Sequence, residues 1–455
     1  MPGILEVRRR RFRRGARLAA ALVLPLPCLA TVSALAEVVS VDAPSTTVFA
    51  NDWGTFGEAP KPRSGPPKPN ERDYSFQIGD WLVHGVANVG AVYNDNLYGT
   101  NTNRVGSWGF GVAPSLLAER NTGLFKTTLY GGLNADFYDS NSNADTVTGR
   151  AGLVNVWEIQ RDLTWRAQFD YYRDVYYPGG APGTTGTSGP VASPEGMNQF
   201  FGSTGLHKDF GQMFADIGGS VTYTTYADPS AASGQVYNLT SPDGLIYTAT
   251  GRIGYNLSPV IYVFVEPRLN WWQYTNSLFD STGYRLVGGL GTDRISLFRG
   301  EIFAGYQSQD FGSASLGTVD SPVVGGAVSW FPTRDLTFKL TADQTIAVST
   351  PSLAFSADNV GFYDSYVTKN TAVGLTGTYT INRQWSSNAG LTYTHSDYVG
   401  QPRVDDQYGA TVGVTYMMLN NWGINLSYTY TNVDSNIPTD SYTQNVTRIS
   451  ARGQF

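Results

Sequence analysis

From about Tyr74 to Phe455 the chain repeats one pattern. Runs of ten or more residues alternate apolar with polar side chains, and the connections between them are by turns compact and long. A period of two sends successive side chains to opposite faces of a strand, so each run carries two chemically different faces. In the run 260–274, Ile261, Val263, Val265, Pro267, Leu269 and Trp271 oppose Tyr262, Phe264, Glu266, Arg268, Asn270 and Trp272. The same split recurs where Leu163, Trp165, Ala167, Phe169 and Tyr171 oppose Thr164, Arg166, Gln168 and Asp170, and where Trp422, Ile424, Leu426, Tyr428 and Tyr430 oppose Gly423, Asn425, Ser427 and Thr429.

The compact connections are Asn121 to Gly123, Gln160 to Asp162, Lys208 to Gln212, Asn256 to Pro259, Thr292 to Ser296, Pro332 to Asp335, Asn382 to Gln384 and Leu419 to Asn421. Between them lie longer polar stretches such as Asn94 to Arg104, Pro178 to Gly196, Asp228 to Gly244 and Phe355 to Gly361. Short turns on one side and long loops on the other mark a transmembrane barrel, with the turns periplasmic and the loops extracellular. Eight turns interleaved with nine loops predict an all-β, antiparallel up-and-down barrel of about 18 strands, within a range of about 16–20.

Composition agrees. Gly (51), Tyr (28) and Trp (10) are abundant, and charged residues make up only 15%. Past the leader there is no uninterrupted apolar run of roughly 18 residues to make a transmembrane helix, and the barrel is the other fold that satisfies every backbone group in lipid. About ten tilted residues cover the apolar slab at about 3.3 Å each. Trp165, Phe338, Trp385 and Trp422 follow compact turns, while Tyr93, Tyr138, Tyr226, Tyr306 and Tyr430 sit near the long loops, as two interfacial girdles require.

Residues 1–36 read as a secretory signal peptide: a basic stretch of Arg8 to Arg11, Arg13, Arg14 and Arg17, an apolar stretch to Leu35, and the small-x-small site Ala34-Leu35-Ala36. Arg9-Arg10-Arg11-Phe12 faintly resembles a twin-arginine signal, but a barrel precursor must cross the inner membrane unfolded, which favours Sec export. Cys28 follows Pro27 where a lipoprotein site needs a small residue. Removing this segment takes seven Arg, one Glu and the single Cys, and moves the formal net charge from −6 to −12. Such acidity argues against a nucleic-acid partner. Residues 37–73, with Pro60-Lys61-Pro62 and Pro66-Pro67-Lys68-Pro69, read as a stiff periplasmic tail, leaving the barrel as 74–455.

The last stretch alternates too. Thr443, Asn445, Thr447, Ile449, Ala451, Gly453 and Phe455 share one face; Gln444, Arg448, Ser450, Arg452 and Gln454 share the other. We expect it to pair with the strand near Trp81 to Tyr93 and leave no edge in lipid. Phe455 then reads as an assembly signal for the barrel assembly machinery.

Tyr93-Asn94-Asp95-Asn96-Leu97, followed by Gly111-Val112-Ala113-Pro114-Ser115-Leu116, resembles the opening of the β-barrel porin 2-like family of proteobacterial outer-membrane proteins. Similar hairpins recur at Asp293 to Asp310 and Val328 to Thr341. The resemblance covers about Asp80 to Phe455 and implies an outer-membrane address. Some relatives are associated with exopolysaccharide export; the resemblance supplies no substrate and no catalytic residues.

His84, His207 and His395 are the only histidines. His395 beside Ser396 and Asp397 offers the parts of a nucleophilic triad, but strand neighbours point to opposite faces and do not assemble one alone. A solvated rim histidine is the plainer reading. Asn94 to Asn96 and Asp139 to Asp145 are oxygen-rich, yet lack the spacing of a calcium loop, and turn-forming Asn and Asp account for them. We expect no enzyme, cofactor or metal.

The dispersed charges say more. Arg150, Arg166, Arg252, Arg268, Arg285 and Arg299, with Glu158, Asp170, Glu266 and Glu301, fall on expected lumen-facing positions, because charge turned to lipid is costly. Two roles stay open for them: a constriction that selects solutes by size and sign, or an ion-paired brace. Correspondingly, two functions stay open: passive passage of a hydrophilic solute, with a polysaccharide as one candidate, or a structural or adhesive barrel with a blocked lumen whose long loops bind surface polymer.

Overall fold

The computed structural model describes residues 75–455, apart from 140, 177–179, 183–187, 192–193, 228–242, 296, 314–315, 350–351, 356–360, 365 and 419–420. The signal-peptide and Pro-rich-tail readings lie outside the described residues, as does most of the stretch between Asp228 and Gly244.

The strands in chain order are β1 (Ser75–Ile78), β2 (Trp81–Asn94), β3 (Ser107–Asn121), β4 (Phe125–Tyr138), β5 (Thr146–Gln160), β6 (Leu163–Tyr176), β7 (Gly180–Pro182), β8 (Ser188–Val191), β9 (Glu195–Asp209), β10 (Met213–Tyr226), β11 (Gly244–Ser258) and β12 (Ile261–Tyr274). They continue as β13 (Ser281–Ile295), β14 (Phe298–Phe311), β15 (Thr318–Trp330), β16 (Leu336–Val348), β17 (Ser352–Phe355), β18 (Gly361–Asp364), β19 (Val367–Thr380), β20 (Trp385–Tyr398), β21 (Val404–Met417), β22 (Trp422–Ser435) and β23 (Tyr442–Gln454). Leaving aside β1 and the small hairpins β7–β8 and β17–β18, these are the 18 strands of one closed antiparallel barrel.

The compact turns fall where the sequence puts them. Five strands overrun into the expected turns: β3, β5 and β9 by one or two residues, β11 and β13 by three and four; β5, β11 and β13 do so through irregular register at Glu158/Gln160, Asn256/Ser258 and Thr292/Ile295, as a bulge permits. The loops are less uniform than expected, since 275–280, 312–317, 399–403 and 436–441 each hold only a few residues. Loop hairpins also meet: β7 lies against β17 and against the short turn Pro438–Asp440. These elements leave the barrel at well-separated points of its rim, so their meeting bridges the extracellular mouth.

Burial is inverted relative to a water-soluble protein. Ile217, Ile253, Val265, Leu269, Leu286, Leu290, Ile302 and Leu426 are exposed, while Asp170, Asp216, Arg252, Glu266, Arg268 and Arg285 are buried. The apolar face therefore meets lipid. Of the expected girdle residues, Trp385, Trp422 and Tyr306 are exposed on the outer face, but Tyr138 is buried among Val92, Leu97, Tyr98 and Ala144, and Tyr226 stacks edge-on with Tyr176. Each ends its strand on the inward parity, so alternation overrides membrane height. Trp108, Phe137 and Tyr223 take the outward positions there.

The barrel closes between β2 and β23, from Val86↔Gln454 to Asn94↔Val446. Beyond that, β1 takes over the β2 edge, from Ile78↔Trp81 to Ser75↔His84. Phe455 exchanges two backbone hydrogen bonds with Gly85, at 2.6 and 2.8 Å. At the other end both Asp95 carboxylate oxygens accept from Asn445, each at 2.6 Å, and the Asn96 amide donates to the Thr443 carbonyl at 2.9 Å. The oxygen-rich Asn94 to Asn96 segment thus works as a clasp on the last strand. Arg448 reaches from β23 across the seam to Asp136 on β4, bidentate at 2.6 and 2.8 Å. A β-carbon at Gly111 would lie 2.4 Å from that guanidinium, so glycine keeps the crossing open.

Candidate functional site: a lumen with two unlike arcs

On β10 to β16 the inward faces are filled. Phe214, Tyr262, Phe264, Val287, Phe303 and Val323 form one apolar cluster, and charged side chains interleave with it. Arg252 donates to Glu266 at 2.8 and 2.6 Å and to Glu301 at 3.0 Å, with its guanidinium 4.1 Å from the centre of the Phe264 ring. Glu266 also accepts from Arg268 at 3.0 Å, and Glu301 from the Tyr262 hydroxyl at 2.5 Å. Arg268 and Arg285 stand directly opposite in the ladder. That like-charge pairing is relieved because each has its own acid: Arg285 pairs with Asp343 of β16 at 2.8 Å and lies over Phe303. Buried charges need such partners, since an unpaired one costs several kcal/mol.

A second group lies on β4 to β6. Asp170 accepts from Arg150 at 2.9 and 2.7 Å, from Gln168 at 2.5 Å and from the Tyr130 hydroxyl, while Arg166 donates to Gln168 at 3.3 Å. Two of the sequence-selected residues are not gathered into either group. Glu158 is exposed at the periplasmic end of β5, and Arg299 is half-buried at the start of β14; neither side chain has a partner among the described residues.

Sequence reasoning passed over Asp136, Asp216 and Asp343, and weighed His207 only as a candidate base, not as part of the inward charge network. His207 Nδ1 lies 2.7 Å from buried Asp216, which faces Arg252 in the ladder. Extending the two-residue alternation to every strand, rather than to those with several charges, would have found them.

The inward faces of β19 to β21 are different in kind. They carry Asn370, Ala372, Gly374, Thr376 and Thr378; Ser386, Asn388, Gly390, Thr392, Thr394 and Ser396; and Gln407, Gly409, Thr411, Gly413 and Thr415. Thr376, Thr392 and Gln407 are exposed and most of the others are half-buried. Thr side chains lie over the glycines: a β-carbon at Gly409 would meet Thr392 Oγ1 at 2.2 Å, and one at Gly390 would meet Thr411 Oγ1 at 2.4 Å. His395 takes the opposite, outward parity, with Nδ1 at 2.8 Å from Asp406 Oδ1, which also accepts from Tyr393 at 2.7 Å. Ser396 faces inward, so these neighbours share no face. Among the described residues no group of three or more His, Cys, Asp or Glu side chains converges as a metal site.

A closed transmembrane barrel with lipid outside and a polar interior is the architecture of an outer-membrane porin-type protein. Residues 75–455 match the model of the family described as "Putative beta-barrel porin 2", and the chain belongs to that family. Among curated proteins none matches it. Solved structures with a similar barrel include the FrpB iron transporter from Neisseria meningitidis (10% identity, 83% of this chain and 82% of that one, TM-score 0.41). The copper transporter OprC is comparable (8%, 84% and 81%, TM-score 0.44), as is a mutant ferric enterobactin receptor from Pseudomonas aeruginosa (10%, 82% and 80%, TM-score 0.40). At this distance nothing about cargo passes to this chain.

Proposed function

We propose that the barrel gives passive passage to a neutral, hydroxyl-rich hydrophilic solute, a polysaccharide segment being the candidate of choice, along the arc formed by β19 to β21. The reading includes Sec export of the precursor and a role for Phe455 in assembly. One observation carries the passage: this arc presents half-buried to exposed Ser, Thr, Asn, Gln and Gly with no charge in its middle, surfaces that exchange hydrogen bonds with hydroxyls as water does. The buried charges Arg252, Glu266, Arg268, Arg285 and Glu301 of β10 to β16 are instead paired with carboxylates and arginines of the same arc, which favours the brace over the charged constriction. Arg299, unpartnered at the periplasmic rim, is the charge best placed to act on passing ions. Reconstituted in planar bilayers, the barrel should conduct; Thr392→Trp should lower the conductance, and Arg299→Gln should shift ion selectivity towards cations. A folded barrel that never conducts would sink the proposal.

The meeting of β7, β17 and the turn at Pro438–Asp440 over the mouth favours a second reading, a blocked barrel whose loops bind surface polymer. On that reading, deleting Pro178 to Gly196 abolishes polymer binding and leaves solute flux unchanged.

A further inference from the structure

Consecutive strands of a barrel are normally paired along their length, because an edge open to hydrocarbon strands N–H and C=O groups without partners. β15 and β16 depart from this. Their ladder runs from Trp330↔Phe338 to Gly326↔Ala342 and stops, although the strands continue to Thr318 and Val348. Above the break β16 keeps its ladder with β19 but turns into the lumen. Gln307 and Arg285, from the inward faces of β14 and β13, reach the Gln344 carbonyl at 3.4 Å each. Ile346 packs with Trp272, Phe311 and Val319, and Val348 lies against the same cluster.

The parity of that cluster is unusual. Trp272, Phe311 and Val319 belong to the inward face of their strands, whereas Ile346 and Val348 share the outward parity of lipid-facing Leu340. The outer face of β16 therefore lies on the inner face of its neighbours, like the overlapped edge of a rolled sheet. Pro322, paired with Tyr306 of β14, sits where β15 has lost its ladder to β16, and its carbonyl accepts from the Ser321 hydroxyl at 3.0 Å. Proline has no N–H to offer and belongs on edges. Extending the ladder beyond Gly326↔Ala342 would oppose Val323 to Thr345 and Pro322 to Ile346, returning Ile346 and Val348 to lipid. The alternation of β16 fits both positions.

We infer that the β15–β16 seam is a lateral portal, and that the hydrocarbon tail of an outer-leaflet lipid inserts there between the overlapped layers, displacing part of their contact. The occupant follows from the surroundings. The parted seam lies beside outward, exposed Val324, two residues below the level of Tyr306 in the extracellular aromatic belt, where the medium is hydrocarbon. The layers meet through Trp272, Phe311, Val319, Ile346 and Val348, so an entering tail exchanges one apolar contact for another.

The test uses the full barrel in outer-membrane vesicles, with benzoylphenylalanine replacing Phe311 and, separately, Leu278 at the rim, in case the buried site does not tolerate it. Heat-dependent gel mobility reports folding. Irradiation should give adducts to lipid acyl chains at both positions and none from Thr411 on the other arc. Oxidising the Val323→Cys, Thr345→Cys pair to zip the seam should abolish the adduct at 311; if the pair cannot be oxidised, the seam stays parted and the adducts decide alone. Folded barrels without lipid adducts, adducts undiminished by the zipped seam, or adducts to a second copy of the chain would overturn the inference. Lipid contact is read here, not conduction, so the result is independent of the passage proposed above.

Discussion

Two arcs of one barrel, β10 to β16 and β19 to β21, obey the same alternation and fill their inward faces in opposite ways. On the first, arginines, carboxylates and aromatic rings are large enough to touch one another and close over, so that Arg252, Glu266 and Phe303 are buried in a nominally aqueous space. On the second, Thr, Ser, Asn and Gly are too short to meet across the wall and leave room for water. The difference teaches that charge on an inward face is no sign of a selectivity filter by itself. Where partners of opposite sign stand within reach, charge becomes structure, and the unremarkable residues become the path.

The comparison presupposes a closed barrel, so the largest effect is expected from undoing closure. Deleting Phe455 removes the bonds to Gly85 and should sharply lower the amount of assembled barrel in the outer membrane, read by heat-dependent gel mobility; normal yield would count against its role. Next, Arg252→Ala leaves Glu266 and Glu301 buried with a partner lost and should cost about 3–5 kcal/mol in denaturant unfolding, while conductance holds. A variant as stable as the parent would mean that the first arc is not a brace. Ile346→Ala should cost about 2–5 kcal/mol, as for a packed core site. Leu340→Ala, on the same face of β16 but in lipid, should cost clearly less because lipid fills the gap. Equal costs would place Ile346 in lipid too. Smallest of all, His395→Ala should change neither stability nor flux, and a lost hydrolytic activity in that variant would revive the triad.

Strand number, turn positions and the two faces were legible because each rests on a local period of two that membrane and lumen both enforce. Arg252, Glu266 and Arg268 could be placed inward from that alone. What resisted reading was anything set by side-chain reach across several strands. Asp343 meets Arg285 from three strands away, and Asp136 meets Arg448 across the closing seam, pairings that need the register of every strand between. Tyr138 and Tyr226 were assigned to a girdle by their height when their parity turns them inward. The parted seam left one local trace, Pro322 inside a strand, but a single proline does not say which ladder it interrupts. The clasp role of Asn94 to Asn96 depends on closure of the chain's two ends and has no local signature.

The measurement that bears most directly on this account is single-channel conductance of the purified barrel compared across the two arcs. We expect open-channel currents that fall when Thr392 is replaced by Trp and stay unchanged when Arg268 is replaced by Gln in a still-folded barrel. Currents insensitive to Thr392→Trp but altered by Arg268→Gln, or no current from a folded barrel, would contradict it.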